Sequence, residues 1–326
     1  MTKEILGILA LTLTLWLGCS DDQADGPFGA STAAGGTGGV AGTGGGGAPA
    51  GVGGSGGGGS SATGTGSGSG GGATGGMGGT LACTGGAGGA GWNPSQLSGL
   101  NLWLEASTCV FTNGSHVTTW FDLSGNGNHA TQNVSDERPV LTPSAINGLP
   151  AVDFDGVDDS LVIADHPTLD PQLDSYLCVA VGQFLSGSGS FGVWSGKASN
   201  TVGSNWRFFH TNFNQLQLSF DDTGLYVRSQ GAVAGQTDTI VGWGVDTNSS
   251  EVLYVVGSTI ERQSISVGAV MSNDLHARLG MDGGQEWAAN IRIAEHLFYV
   301  RAGTGFPNAD IQQLIDYFET KYGLGS

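Results

Sequence analysis

Along the C-terminal two-thirds of the chain, apolar residues recur mostly with a period of two, the spacing that sends alternate side chains to opposite faces of a strand. Leu100, Leu102 and Leu104 share one face of a first predicted strand over 101–106. Residues 116–121 predict a second. Further on, Val152 and Phe154 point one way, Asp153 and Asp155 the other, and 161–163 returns as the paired strand. The stretch 176–184 (YLCVAVGQF) is a continuous apolar run as long as a central sandwich strand. Shorter strands are expected at 191–194, 206–210 and 215–220, then a meander over 237–245, 251–256 and 259–265 that turns at Gly257-Ser258. Residues 277–281 and 288–300 close the sheets. Only once does the period change. Ile311, Leu314, Ile315, Phe318 and Tyr322 fall on one face of a helix over 309–322, with Asn308 as N-cap after Pro307 and Gly323 as its stop. Many short strands between Gly, Asn and Asp turns, plus one helix, predict an all-β fold of two antiparallel sheets.

Before Asn93 this patterning vanishes. The chain has 61 glycines among 326 residues, most of them between Gly26 and Gly91, and no charged side chain occurs from Gly26 to Leu104. Such a segment buries too little to offset the entropy of ordering it, so residues 19–92 read as a Gly/Ser/Ala/Thr-rich linker and 93–326 as the folded head. A flexible linker of that kind has an end-to-end distance of roughly 45 Å. Residues 1–18 read as a signal peptide. The apolar run 5–17 would span only about 20 Å as a helix, short of a ~30 Å bilayer core. Gly18-Cys19 resembles a bacterial lipoprotein cleavage site, with Cys19 the lipidated residue. Trp16, Leu17 and Glu4 depart from the usual pattern, and an ordinary secretory signal cleaved elsewhere is the alternative. If the lipoprotein rules carry over, Ser20 implies sorting to the outer membrane.

A more specific resemblance lies in residues 118–161. A tryptophan strand runs into Asp122-Leu-Ser-Gly-Asn-Gly-Asn-His129, followed by Arg138-Pro139, then Ala151-Val-Asp-Phe-Asp-Gly156 and Asp158-Asp159. The chain's end adds Ile293-Ala294-Glu295, Tyr299 and Lys321-Tyr322-Gly323-Leu324. Together these stretches resemble a LamG-like jelly-roll domain of the concanavalin A-like lectin/glucanase type. The likeness covers both ends of the head, about 97–324, with the middle recognisable only as strands. It implies a two-sheet jelly-roll sandwich with a C-terminal helix, and Ca²⁺ as a candidate cofactor at a loop rim, without naming its ligands.

Charge narrows the partners. At −18 the protein offers no electrostatic footprint for nucleic acid and would be repelled by anionic membranes unless tethered, while metal cations remain candidates. Two turns are rich in oxygen ligands. Asp122, Ser124 and Asn126, with Gly127 sixth, resemble the first half of an EF-hand loop, but Asn133 stands where the bidentate Glu would be; an Asx-rich hairpin turn is the alternative. Asp155, Asp158 and Asp159 form the second. For sugar binding, Trp194, Trp206 and Trp287 sit beside polar, Gly-rich loops, whereas Trp103 and Trp120 read as core. The six histidines are scattered singly.

Catalysis on a glucanase-like sandwich needs two carboxylates about 5–5.5 Å apart. Here Glu105, Glu137, Glu251, Glu261, Glu286, Glu295 and Glu319 are isolated from one another in sequence, and neither a Gly-x-Ser-x-Gly nor a His-Glu-x-x-His motif occurs. Cys83 and Cys109 are expected to pair, pinning the linker's end to the loop after the first strand, with Cys178 buried mid-strand. The reading that follows is a non-catalytic surface module, lipid-anchored, that binds glycan or a protein partner outside the cell. A divergent polysaccharide hydrolase or lyase is the first alternative, and an envelope or matrix component with no small ligand the second.

Overall fold

The computed structural model describes residues 91–185, 192–198, 206–211, 215–219, 226–232, 235–265, 273–285 and 287–325. The expectations about the leader, Cys19, Cys83 and the linker as far as residue 90 fall outside these residues.

The head is an all-β sandwich. One layer is built from β1 (Leu100–Glu105), β5 (Val140–Ile146), β6 (Leu149–Asp155), β8 (Ser175–Phe184), β13 (Thr239–Asp246), β14 (Glu251–Val256), β15 (Thr259–Ser264) and β17 (Asn290–Arg301). The order across it is β15-β14-β13-β8-β17; β17 then pairs with β6 through its first half and β1 through its second, and β5 follows β6. The other layer comprises β2 (Val110–Asn113), β3 (His116–Trp120), β4 (Ala130–Thr131), β7 (Leu161–Ile163), β9 (Gly192–Gly196), β10 (Arg207–His210), β11 (Gln215–Ser219), β12 (Tyr226–Ala232) and β16 (Ala277–Leu279). Its order is β12-β11-β10-β9-β16-β7-β4-β3-β2, and every pairing in both layers is antiparallel. A bridge between His116 and Val140 joins the layers at one margin. At the opposite margin Gln263 Nε2 donates to the Arg228 carbonyl at 2.6 Å and the Gln230 amide to Glu261 Oε2 at 2.7 Å, so side chains of β15 cap backbone groups of β12.

Alternation along β8 divides the interior. Tyr176, Cys178 and Ala180 enter the core between the layers with Trp120, Phe154, Trp194, Trp206, Phe208, Trp243 and Phe298. Leu177, Val179 and Val181 face outward and are covered by α1 (Asn308–Tyr322) through Ile311, Leu314, Ile315, Phe318 and Tyr322. Gly323 ends the helix at φ 64, the left-handed conformation glycine adopts at no steric cost. Asn308 does not cap it as expected. Its side-chain oxygen instead accepts a hydrogen bond from Arg262 Nε at 2.7 Å, and the N-cap position falls to Pro307. Leu100 also departs from the expected face, because a register shift between Leu100 and Leu102 turns it toward the helix-side cluster.

A second shift, between Ile293 and Glu295 in β17, sets how the helix is held. Ile293 points into the inter-sheet core, whereas Ala294 and Glu295 both lie on the helix side. The fully buried Glu295 carboxylate accepts from Trp103 Nε1 (2.7 Å), Lys321 Nζ (2.7 Å), Tyr322 OH (2.9 Å) and Tyr317 OH (3.1 Å). Burial raises its pKa, and Lys321 opposes that shift. Removing the carboxylate takes the acceptor from Trp103, Tyr317 and Tyr322 at once and leaves Lys321 to Glu105 alone. Glu295→Ala is expected to cost about 3–5 kcal/mol in urea unfolding, the range for breaking one partner out of a buried charged cluster. A loss below about 1 kcal/mol would show that apolar packing alone seats the helix.

Cys178 is a buried free thiol, its pKa pushed well above the ordinary value by burial; its Sγ lies 3.2 Å from His296 Nε2, which also meets Ser195 Oγ at 3.1 Å. Burial holds His296 neutral, with a pKa pushed down to about 3.

Candidate functional site

The structure sorts the candidate residues into three groups. Trp194 and Trp206 do not face solvent, so their expected role in ligand binding is corrected. Both are fully buried between the layers. Trp194 packs edge-on to Phe184 at 4.9 Å, and Trp206 stacks on Phe298 at 4.7 Å while donating from Nε1 to the Leu169 carbonyl at 3.0 Å. Gly-rich neighbours in sequence marked the loops, but strand alternation aimed the rings inward.

Asp122, Ser124 and Asn126 form an Asx-type turn lock, the reading weighed in the sequence against a cation-binding half-loop. Asp122 Oδ1 accepts the amides of Trp103 and Ser124 (each 2.9 Å), and Oδ2 accepts Ser124 Oγ (2.8 Å) and the Asn128 amide (3.0 Å). A carboxylate offers about four lone-pair sites, and four donors take them. Asn126 Nδ2 donates to the Leu100 carbonyl at 3.1 Å, fastening the same turn to β1.

Asp155, Asp158 and Asp159 cluster in one turn, and the loop that carries Trp287 starts and ends against it. β6 ends in the turn after Asp155, where Asp155 Oδ1 accepts the Val157 amide at 2.8 Å and Asp159 Oδ2 the Asp155 amide at 3.0 Å. Ligand-capable oxygens of Asp155, Asp158 and Asp159 lie within 4.8 Å of one another. The loop between β16 and β17 starts and finishes against this turn. A Cβ on Gly280 would stand 2.8 Å from the Asp159 carbonyl oxygen, and Asn290 is the register partner of Asp155 and packs against Gly156. The Ala289 amide closes the loop's base on the Gly280 carbonyl at 2.8 Å. Within the loop, fully buried Asp282 accepts the Gly284 amide at 3.0 Å and pairs with Arg207 at 3.1 Å. Trp287 sits near the loop's end with φ 58, an uncommon conformation for a bulky residue, and its side chain is 46% exposed. The Val193 amide holds its carbonyl at 2.8 Å. The loop that carries the exposed Trp287 ring is thus anchored at both ends against the turn that carries the carboxylates.

Burial raises the pKa of Asp159 to about 6, with the charges of Asp155 and Asp158 adding to the shift. Next to it, Arg278 Nη1 lies 3.3 Å from Ser160 Oγ, and burial lowers the guanidinium's pKa. Asp155 Oδ2 and Asp159 Oδ1 take no part in the bonds just described, and Asp158 adds its own pair. A hard cation that takes 6–8 oxygens would therefore find only part of its shell here, with water completing it.

Two glutamates that stand far apart in sequence meet across strands. Glu105 is the register partner of Glu295, and the two share the Lys321 ammonium at 2.9 and 2.7 Å. No motif could show this pairing, because 190 positions separate the two. They face α1, and the ammonium between them leaves neither poised as a solvent-facing acid.

No protein-family model and no curated protein matches the chain. Among solved structures it is similar to the binding domain of Paraclostridial Mosquitocidal Protein 1, at 12% identity and TM-score 0.49 over 68% of this chain and 52% of that one. Trypanosoma rangeli sialidase is similar at 13% identity and TM-score 0.48 over 67% and 33%. The binding domain of Botulinum Neurotoxin DC, solved in complex with SialylT, is similar at 10% identity and TM-score 0.46 over 68% and 52%. The chain spans about half the length of the toxin chains and a third of the sialidase.

The rim makes a pH-dependent prediction. An acid whose folded pKa is raised keeps its proton longer in the native state, so stability falls as pH rises from about 4 to about 6. Asp159→Asn retains an acceptor for the Asp155 amide and removes the charge. It is expected to abolish that fall and to raise Tm at pH 7 by a few degrees, about 1–2 kcal/mol, in thermal melts. Parallel pH profiles in both proteins would overturn the assignment.

Proposed function

We propose that the head is a non-catalytic binding module that recognises carbohydrate at the rim formed by Trp287 and the turn carrying Asp155, Asp158 and Asp159. The observation that supports this is the exposed Trp287 ring, held at positive φ on a loop whose two ends pack against the turn of those carboxylates. Sugars are recognised by an aromatic face under their C–H bonds and by acidic or amide groups on their hydroxyls. Ca²⁺ is the cation the acidic turn would take, and it would relieve the mutual repulsion of three clustered carboxylates. On this reading the leader carries Cys19 as a lipidation site and the Gly-rich segment as a tether, so that a LamG-like head meets extracellular glycan from an outer-membrane or cell surface. A Cys83–Cys109 disulfide would tie the tether's end to the head.

A glycan array of the purified protein, run with Ca²⁺ and with EGTA, tests the reading. Hits that weaken at least about tenfold in Trp287→Ala and in the presence of EGTA are expected. Turnover of any polysaccharide on the panel would favour the hydrolase or lyase alternative. An array with no hits would favour an envelope component without a small ligand.

A further inference from the structure

The outer face of α1 carries a groove of about 560 Å³ whose floor and walls are Trp92, Gln313, Asp316, Tyr317, Thr320 and Lys321. Sequence patterning placed Trp92 in the linker, yet its ring packs edge-on to Tyr317 at 5.8 Å and 63°. Gln313, Tyr317 and Lys321 recur every four residues, with Asp316 and Thr320 in the neighbouring row, so one helix stripe lays its side chains along the groove. Asp316 Oδ1 accepts a bond from Gln312 Nε2 at 2.8 Å, and among the described residues the Gln313 amide and Thr320 hydroxyl make no hydrogen bond. The groove's cation is internally spent. Lys321 is shared by Glu105 and Glu295, and lies 5.2 Å from the centre of the Tyr317 ring. Asp316 leaves the surroundings negative, so an anionic ligand would meet repulsion without an available counter-charge.

From this combination we infer that the α1 groove is a second binding site, for a neutral oligosaccharide. The aromatic pair supplies the apolar wall, while Gln313, Asp316 and Thr320 supply hydroxyl partners. The volume lies within the range of ligand pockets, about 300–1,000 Å³. The site shares only its ligand class with the rim and stands on different residues.

The experiment titrates the full chain with neutral hexamers (β-1,4-linked glucose, α-1,4-linked glucose, β-1,4-linked N-acetylglucosamine) and with a sulfated hexamer, read by calorimetry and tryptophan fluorescence. At least one neutral hexamer is expected to bind, to weaken about tenfold or more in Trp92→Ala, and to be blocked in Thr320→Arg, an exposed helical position where Arg is a good helix former. EGTA and Trp287→Ala are expected to leave this binding unchanged. Equal affinity in Trp92→Ala and the parent overturns the site, as does preference for the sulfated hexamer. Binding lost only in Trp287→Ala keeps the rim and removes the groove; binding lost only in Trp92→Ala does the reverse. If no neutral hexamer binds and iodide fails to quench Trp92, another part of the chain fills the groove and the inference falls.

Discussion

One buried carboxylate ties the layers of this protein to their helix. Strand alternation alone would send every second residue of β17 to the same face, and the extra residue at Ala294–Glu295 breaks that rhythm. Glu295 therefore arrives beneath α1, where an indole, two phenols and an ammonium converge on it. An unpaired charge there would be prohibitively costly, so the four donors and the bulge stand or fall together. The same ammonium also reaches Glu105, which extends the cluster to β1. Because Tyr317 and Lys321 are fixed by this cluster, the outer stripe of the helix is fixed as well.

Much of the architecture was legible where burial on both faces forces long apolar runs. β8 was visible as YLCVAVGQF, and β14 has the expected bounds. Strands that went unseen lack that signal. β4 is only two residues long, β5 contains Pro143, and β12 (YVRSQGA) is largely polar. β2, Val110–Asn113, is mostly exposed and sits at a margin. The helix was clear from its spacing, but its start was misjudged because Asn308 had a stronger partner in Arg262.

The candidate site was legible in part, for a related reason. Local composition found the turn at Asp155–Asp159 and the loop of Trp287, but could not say that Gly280 and Asn290 press them together. Nor could it separate an Asx turn from half of a cation loop. Both need an Asp followed at short spacing by small polar residues, and only the destination of the four donors on Asp122 tells them apart. Trp194 and Trp206 show the complementary failure. A residue's sequence neighbours describe the loop it adjoins, whereas its own direction depends on register with distant strands.

The paired margins of β12 and β15 bear on how many copies can live side by side. Side chains of Gln263 and Glu261 cross from one layer to the other and occupy backbone groups that an incoming strand would need. A flank sealed this way offers a neighbour little to zip onto, which is how sandwiches avoid fibrous self-association when they are crowded.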